Sequence, residues 1–249
     1  MTITHISDSH GAKYHEKLQI SECDVLLFTG DLGGRTDLLE LQQFLEWFKK
    51  QHARKRIFIG GNHDIILDKT FAEKLKAQGN MFGWSLHKEN YLRALDLIES
   101  YRKDNIVYLC NTDYVFEGIK FYGSPYSPSF HKQYWAFNAD RGGEIKKIWN
   151  MIPNDTHILL THSPQYNILD DVKEFANVNE DPHVGCKDLA NIIKNKLIDL
   201  KLHCFGHIHD NYGIMLHNVS NNRRILSSNG AIVTNRYNLL VNKPLIITI

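Results

Sequence analysis

The sequence has few cysteines and no long apolar run, and each shortage excludes a class of protein. Four cysteines in 249 residues, with no Cys-x-x-Cys pair, are too few for a disulfide framework in a chain of this size. They are Cys23, Cys110, Cys186 and Cys204, each in or beside an apolar segment, as is typical of buried, reduced thiols. Because there is no apolar run of about 18 residues, we predict no transmembrane helix.

Neither sign of charge dominates the chain. Lys and Arg number 29, and Asp and Glu number 28, so the charge balance gives no strong sign of a nucleic-acid partner. The N-terminus begins with a strand-like segment, Thr2 to Ile6, and lacks the basic and then apolar pattern of a secretory signal peptide. Together with the reduced thiols, this predicts a cytoplasmic protein with no membrane partner.

Short apolar runs alternate with helical patterns along the chain. Residues 25–28 and 56–59 are rich in β-forming residues and are followed closely by glycine, which is typical of buried parallel strands. Between them, four apolar residues recur at helical spacing, namely Leu41, Phe44, Leu45 and Phe48. Asp37 and Glu40 have the spacing of a capping box at the start of that helix. We expect one α/β domain over residues 1–249, because the candidate site residues come from both ends of the chain.

The remaining elements are less regular. We predict helices near 69–78, 88–103 and 189–197, and strands near 106–109, 114–116, 120–122, 157–160, 202–205, 212–216, 224–227 and 245–249. Glu117-Gly118 is a candidate hairpin turn. Residues 123–142 are rich in Gly, Pro, Ser and aromatics and are predicted to form a long irregular loop. Residues 78–91 match no pattern, and their role stays open.

Polar clusters directly follow five of the predicted strands. They are Asp8-Ser9-His10, Gly30-Asp31, Gly61-Asn62-His63-Asp64, Thr161-His162-Ser163-Pro164 and Gly206-His207-Ile208-His209. Sites in open α/β sheets form at the carboxyl ends of the strands, so the five clusters can converge in space. The neighbouring glycines are expected to let the backbone turn sharply at these positions.

Seven side chains in these clusters form a mixed set of oxygen and nitrogen ligands. They are Asp8, His10, Asp31, Asn62, His162, His207 and His209. This set suits Mn²⁺, Fe or Zn²⁺ better than Mg²⁺ or Ca²⁺, which prefer oxygen alone. A carboxylate can bridge two ions, and Asp31 is the candidate. We therefore predict two divalent ions, with Mn²⁺ expected and Fe or Zn²⁺ as alternatives.

Each cluster taken alone has an ordinary structural explanation. Gly-Asp is a turn dipeptide, and Gly-His-x-His is compatible with a surface loop or with a site for one metal. The occurrence of all five in order, each after a strand, favours a joint metal site. The other histidines fall outside the clusters and are expected to be surface or structural residues.

The five clusters, in this order, resemble those of the calcineurin-like metallophosphoesterase superfamily. Further segments resemble its metallophosphoesterase-domain-containing phosphodiesterase subfamily: Gly123-Ser124-Pro125, Trp135-Ala136-Phe137-Asn138, Arg141-Gly142, Asn229-Gly230-Ala231, Asn235-Arg236-Tyr237 and Val241-Asn242-Lys243-Pro244. The resemblance covers essentially the whole chain. It implies an α/β fold, a sandwich of two mixed β-sheets flanked by helices.

The resemblance also implies roles for the site residues. It implies one metal held by Asp8, His10 and His209, and a second held by Asn62, His162 and His207, with Asp31 as the bridge. His63 is expected to face the substrate and bind no metal, with Asp64 orienting it. The expected activity is a phosphodiesterase, in which metal-activated hydroxide attacks a small phosphodiester or nucleotide and His63 assists the leaving group.

Substrate contacts and rival functions are left open by the residues. Asn62 is a candidate substrate contact as well as a ligand, and Arg141 is a candidate phosphate clamp or a structural ion pair. The aromatic side chains of Tyr126, Phe130, Tyr134 and Trp135 are candidates to stack on a nucleobase or to pack under the loop. The rival functions are a metal-containing adaptor with negligible turnover and a nuclease. The sequence does not specify the substrate, diester or monoester preference, the native metal or the oligomeric state.

Overall fold

Two β-sheets face each other and carry helices on their outer sides. The computed structural model describes residues 1–15, 17–130, 135–172, 181–220, 222–234 and 242–249. Tyr134, the segment 235–237 and Val241, which were named above, lie outside these residues.

The strands and helices of the described residues follow one another in a mixed order. The strands are β1 (Thr2–Ile6), β2 (Cys23–Thr29), β3 (Ala53–Ile59), β4 (Ile106–Tyr108), β5 (Thr112–Phe116), β6 (Ile119–Ser124), β7 (Ser127–Pro128), β8 (Asn138–Ala139), β9 (Ile158–Thr161), β10 (Leu202–Phe205), β11 (Gly213–Ser220), β12 (Arg223–Asn229) and β13 (Leu245–Thr248). The α-helices are α1 (Ala12–His15), α2 (Leu38–Lys49), α3 (Phe71–Ala77), α4 (Met81–Ser100), α5 (Gly143–Asn150) and α6 (Lys187–Asn195). Short 3₁₀ turns occupy Ile65–Leu67, Arg102–Asp104 and His209–Asn211.

Both large sheets are mixed. The first has the order β13-β1-β2-β3-β4 and is parallel except for the pair β13 and β1. The second has the order β11-β12-β10-β9-β6-β5, with antiparallel pairs at its two edges and parallel pairs between them. This arrangement confirms the expected α/β class with two mixed sheets flanked by helices.

The packing explains why the central strands are continuous apolar runs. In β2, Val25 and Leu27 pack in the cluster between the two sheets, whereas Leu26 and Phe28 pack in the cluster that holds α2. A strand that is buried on both faces cannot alternate apolar with polar residues. Full burial of each such side chain contributes about 1.5–3 kcal/mol. On the outer side of the second sheet, Trp149 of α5 packs with the apolar face of α6.

The start of α2 differs in one respect from the expected capping box. The Asp37 carboxylate accepts a hydrogen bond from the backbone N–H of Glu40 at 2.9 Å, as predicted. The Glu40 carboxylate, however, accepts from the N–H of Gly34 instead of returning to Asp37. Only half of the box is formed, because Glu40 is used to hold the loop between β2 and α2.

The segment around residue 80 belongs to a longer helix than predicted. Helix α4 begins at Met81, where the Asn80 side chain accepts a hydrogen bond from the Gly83 N–H at 2.8 Å. The expected start near residue 88 was therefore wrong. Residues 78–91, to which the sequence assigned no role, supply the cap and the first half of α4. Several of their apolar side chains are exposed, so the sequence does not show the usual helical pattern of buried apolar residues. The loop predicted over 123–142 also contains the short parallel pair of β7 and β8.

The two sheets are joined at one end. The Ser7 N–H, just after β1, donates to the Gly230 carbonyl, and the Ile232 N–H donates to the Ser7 carbonyl. This connection places the carboxyl ends of both sets of parallel strands side by side. Within the described residues, no helix has the length and apolar character needed to cross a bilayer.

Candidate metal centre

All five polar clusters follow strands, as the sequence predicted. Three follow β1, β2 and β3 of the first sheet, and two follow β9 and β10 of the second. Because the sheets are joined at this end, the seven predicted ligands are brought together from segments about 200 residues apart.

The first group consists of Asp8, His10 and His209. Their candidate ligand atoms all lie within 4.8 Å of one another. The Nε2 atoms of His10 and His209 are 3.2 Å apart, and the His209 Nε2 is 3.2 Å from an Asp8 carboxylate oxygen. Atoms that bind one ion at about 2.0–2.1 Å each are separated by distances of this size.

The second group consists of Asp31, His162 and His207. These ligand atoms also lie within 4.8 Å of one another. Asn62 joins this group, because its side-chain oxygen is 2.9 Å from the Nε2 of His162. The Nδ1 of His162 is held by the carbonyl of Thr29, which leaves Nε2 facing the group.

Asp31 lies between the two groups. One of its carboxylate oxygens is 3.7 Å from the His10 Nε2, and the other is 3.3 Å from the His162 Nε2. A carboxylate with one oxygen directed toward each group is placed as a bridging ligand would be.

Four of the seven residues have backbone conformations that amino acids with a side chain rarely adopt. The φ angles are 55° at Asp8, 48° at His10, 58° at Asp31 and 68° at His207. Such left-handed residues cost free energy and cluster at functional sites. The strain is concentrated in the segments that direct these side chains toward one another.

At two positions next to the ligands, only glycine leaves room for the ligand side chains. A Cβ at Gly206 would lie 1.9 Å from the Asp8 carboxylate, and one at Gly61 would lie 2.3 Å from the Asp31 carboxylate. Neither glycine has a positive φ. At these two positions glycine permits the close approach of a ligand and does not supply a left-handed backbone.

The surroundings of the two groups shift the pKa values of their histidines and of Asp31. Burial lowers the pKa of His10 to about 4 and that of His207 to about 3, so both are neutral near pH 7. Burial works against the charged forms of Asp31 and His162 as well, but their mutual attraction outweighs it. That attraction raises the pKa of His162 to about 9 and holds the pKa of Asp31 well below its usual range. Neutral imidazole and ionised carboxylate are the forms that bind metal, so an ion held by the second group would take the place of the His162 proton.

His63 lies beside both groups, and its ligand atom lies within 4.8 Å of those of His10 and Asp31, so these three residues form a further candidate group although His63 is not an expected ligand. Its Nε2 is 3.9 Å from the Asp31 carboxylate, and its ring centroid is 4.5 Å from that of His10. Its Nδ1 is 2.5 Å from the carbonyl oxygen of Gly34. A carbonyl only accepts, so Nδ1 carries a proton and Nε2 is the position that exchanges one.

Asp64 does not have the partner that was expected of it. Its buried carboxylate accepts hydrogen bonds from the N–H groups of Asp31, Leu32 and Gly61. It also accepts one from the Thr36 hydroxyl. The carboxylate points toward the loop after β2, and the Gly34 carbonyl orients His63 in its place. Asp64 thus holds together the two turns that carry Asp31 and Asn62.

Arg141 makes structural contacts. Its guanidinium donates to the carbonyl of Gly185 at 2.9 Å and to that of Val184 at 2.6 Å. These bonds occupy two terminal nitrogens of the fork that a phosphate would need. Arg141 thus has a structural role through backbone carbonyls and not through the expected ion pair, and we do not assign the phosphate-clamp role to it.

Aromatic side chains border the centre on two sides. The Trp135 ring lies 4.2 Å from that of His63, and the Phe130 ring lies 5.2 Å from that of His207. Tyr126 instead packs against Phe137 in the core. Arg35, which the sequence reading overlooked, places its guanidinium 5.7 Å from the centroid of the Trp135 ring. The available signal was its position in the same loop as Asp31, four residues later.

The comparisons with known proteins agree with this geometry. The profile of the family described as calcineurin-like phosphoesterase matches residues 1–211. The chain belongs to this family. The two groups described above are candidate sites for divalent metal ions.

Named relatives cover most of this chain. The human metallophosphoesterase domain-containing protein 1 is 33% identical over 213 residues, which are 84% of this chain and 61% of that protein. The UPF0046 protein T07D4.2 of Caenorhabditis elegans is 32% identical over 218 residues, covering 82% of this chain and 51% of that protein. The chain thus spans about half to three fifths of the length of these relatives.

A solved structure shares the fold. The protein TT1561 of Thermus thermophilus superimposes with a TM-score of 0.56 at 14% identity, over 92% of this chain and 88% of that one. At this identity the likeness concerns the fold.

Proposed function

We propose that this protein is a dinuclear metal-dependent phosphodiesterase acting on small phosphodiesters or nucleotides. The observation that supports the proposal is the position of Asp31, with one carboxylate oxygen toward each of two groups of ligands. Asp8, His10 and His209 would hold one ion, and Asn62, His162 and His207 the other, with Mn²⁺ as the preferred metal. Two such ions, when bound, supply the positive charge and the activated water that phosphoryl transfer requires.

The chain itself positions the ligands and handles the proton. Burial keeps His10 and His207 neutral and available as ligands. Asp64 accepts hydrogen bonds from the turns that carry Asp31 and Asn62, and these bonds fix the two ligands relative to each other. His63, oriented by the Gly34 carbonyl, would give a proton from Nε2 to the leaving oxygen. General acid assistance of this kind is worth about 10²–10⁴-fold.

The test is hydrolysis of bis(4-nitrophenyl) phosphate by purified protein supplied with Mn²⁺, Fe²⁺ or Zn²⁺, with bound metal counted by elemental analysis. Asp31→Asn should lose metal and turnover together. Asp24→Asn is the matched control, because Asp24 lies near the start of β2, the strand that Asp31 follows, and its replacement should leave both unchanged. His63→Ala should keep the metal and lose about 10²–10⁴-fold in turnover.

The same assay separates the rival functions. Two bound ions with no hydrolysis of diesters or monoesters by the wild-type protein would overturn the proposal and favour the metal-containing adaptor. Preference for a nucleic-acid strand over small diesters would favour the nuclease. A higher kcat/KM for 4-nitrophenyl phosphate than for the diester would make the protein a monoesterase.

A further inference from the structure

An exposed cation lies at the border of the metal centre. Arg35 belongs to the loop between β2 and α2, and its guanidinium lies over the indole of Trp135 at 5.7 Å from the ring centroid. The same indole packs against the His63 ring at 4.2 Å. Arg35 and His63 are therefore neighbours of one aromatic side chain.

The guanidinium is not neutralised within the described residues. No carboxylate of those residues forms an ion pair with Arg35. Glu40, the acidic side chain that binds this loop, accepts from the Gly34 N–H instead. The guanidinium keeps its donors available for a carboxylate or phosphate, which its planar fork binds well.

The contact with the Trp135 indole preorganises the Arg35 side chain for binding such an anion. A cation is attracted to an aromatic face, and this attraction limits the conformations of the long side chain. Less side-chain entropy is then lost when the guanidinium binds an anion. The contact therefore makes Trp135 a positioning residue for Arg35 as well as a neighbour of His63.

The location indicates which part of a substrate would meet the cation. His63 is the proposed proton donor to the leaving oxygen, so a leaving group at that oxygen extends beside the indole that His63 contacts. We infer that Arg35 binds an anionic group carried by the leaving group and thereby determines specificity. The substrate class is a phosphoester whose leaving alcohol bears a second anion, a phosphate or a carboxylate. This inference rests on the proposed function.

Two esters with the same reacting phosphate test the inference. They are methyl 4-nitrophenyl phosphate and methyl 3-carboxy-4-nitrophenyl phosphate, which differ by one carboxylate on the leaving group. The ratio of their kcat/KM values should fall about 1.5- to fivefold in Arg35→Gln, the size expected for one exposed ion pair. Arg35→Lys should retain part of the preference, and the wild-type preference should shrink as NaCl is raised. Arg102→Gln, an exposed arginine that pairs with Glu99, is the control and should leave the ratio unchanged.

A binding measurement gives a readout that does not depend on turnover. Phenylphosphonate and 3-phosphonobenzoate have carbon–phosphorus bonds in place of the ester bond, and calorimetry on the metal-loaded protein gives their affinities. The added carboxylate should tighten binding to the wild-type protein and not to Arg35→Gln. A phosphate on the leaving group in place of the carboxylate distinguishes which anion is preferred.

The outcomes separate the two proposals. Wild-type protein that hydrolyses no ester contradicts the proposed function, and the phosphonate affinities then decide the role of Arg35 alone. Equal ester ratios and equal phosphonate affinity differences in wild type and Arg35→Gln would overturn the inference. An Arg35→Gln variant that loses both esters in equal proportion, with a lower melting temperature, would also overturn it, since that pattern indicates a structural role.

Discussion

Gly61→Ala is predicted to remove metal binding without changing any ligand. The Cβ of the new alanine would lie 2.3 Å from the Asp31 carboxylate and 2.6 Å from the His162 ring. Ordinary contacts need more than about 3 Å, so Asp31 or the Gly61 turn must shift by roughly 1 Å. The Gly61 N–H donates to the Asp64 carboxylate at 2.7 Å, which resists movement of the turn.

The size of the effect follows from these contacts. Overpacking of this kind costs about 1–3 kcal/mol. For a protein of this length, each kcal/mol lowers the melting temperature by about 2–4 °C. The metal-free protein should therefore lose several degrees in melting temperature, and turnover should be lost together with the metal.

The assay is thermal unfolding with and without Mn²⁺, together with the metal content after dialysis. Metal at about 100 times its dissociation constant stabilises the wild-type fold by about 2.7 kcal/mol. That increase in melting temperature should vanish in Gly61→Ala. The control is Gly143→Ala at the start of α5, where the added methyl meets no atom within 4 Å and φ is not positive. Gly61→Ala that still binds two ions and shows the wild-type increase would refute the reasoning.

Three further predictions concern stability and reactivity. Asp37→Ala should cost about 1 kcal/mol by removing the cap of α2, measured by urea unfolding; no loss would show that the cap is dispensable. Burial lowers the pKa of His15 to about 4 in the folded protein, compared with about 6.5 in the unfolded chain. As the pH falls, the unfolded state therefore binds a proton first. The free energy of unfolding should decrease by at most about 3 kcal/mol between about pH 6.5 and about pH 4. His15→Phe, which keeps a ring against Trp47, should flatten that slope, and parallel slopes would contradict this. Burial raises the pKa of the Cys110 thiol to about 11, and the other three thiols are buried. A thiol reagent at about pH 8 should therefore label all four cysteines only after the protein unfolds. Rapid labelling of the native protein would contradict this prediction.

The site could be predicted from sequence where the signal was local. Each ligand cluster directly follows an apolar run, and a run such as Val25–Phe28 predicts a strand without knowledge of its neighbours. The order of the clusters then carried the resemblance to the family. The hairpin at Glu117-Gly118 was predictable for the same reason, since both residues have the positive φ angles that such a turn requires.

Other features depend on contacts between distant segments. The partners of Asp64 come from the loop after β2 and from the turn after β3, so its sequence neighbour His63 was the wrong partner to expect. Arg141 meets carbonyls more than forty residues away. The aromatic face that holds Arg35 is supplied by Trp135, a hundred residues later. None of these pairings leaves a pattern within either segment.

The left-handed backbone at four predicted ligands limits how the metal preference of this fold can be redesigned. Aspartate, asparagine and histidine tolerate such a backbone better than most residues, so Asp8, His10, Asp31 and His207 have both the ligand atom and the conformational tolerance that their positions require. Exchanging one of them for glutamate or cysteine would add a conformational penalty to any change in affinity. Asn62, His162 and His209 have no positive φ. A search for variants that select another cation should therefore begin with those three positions.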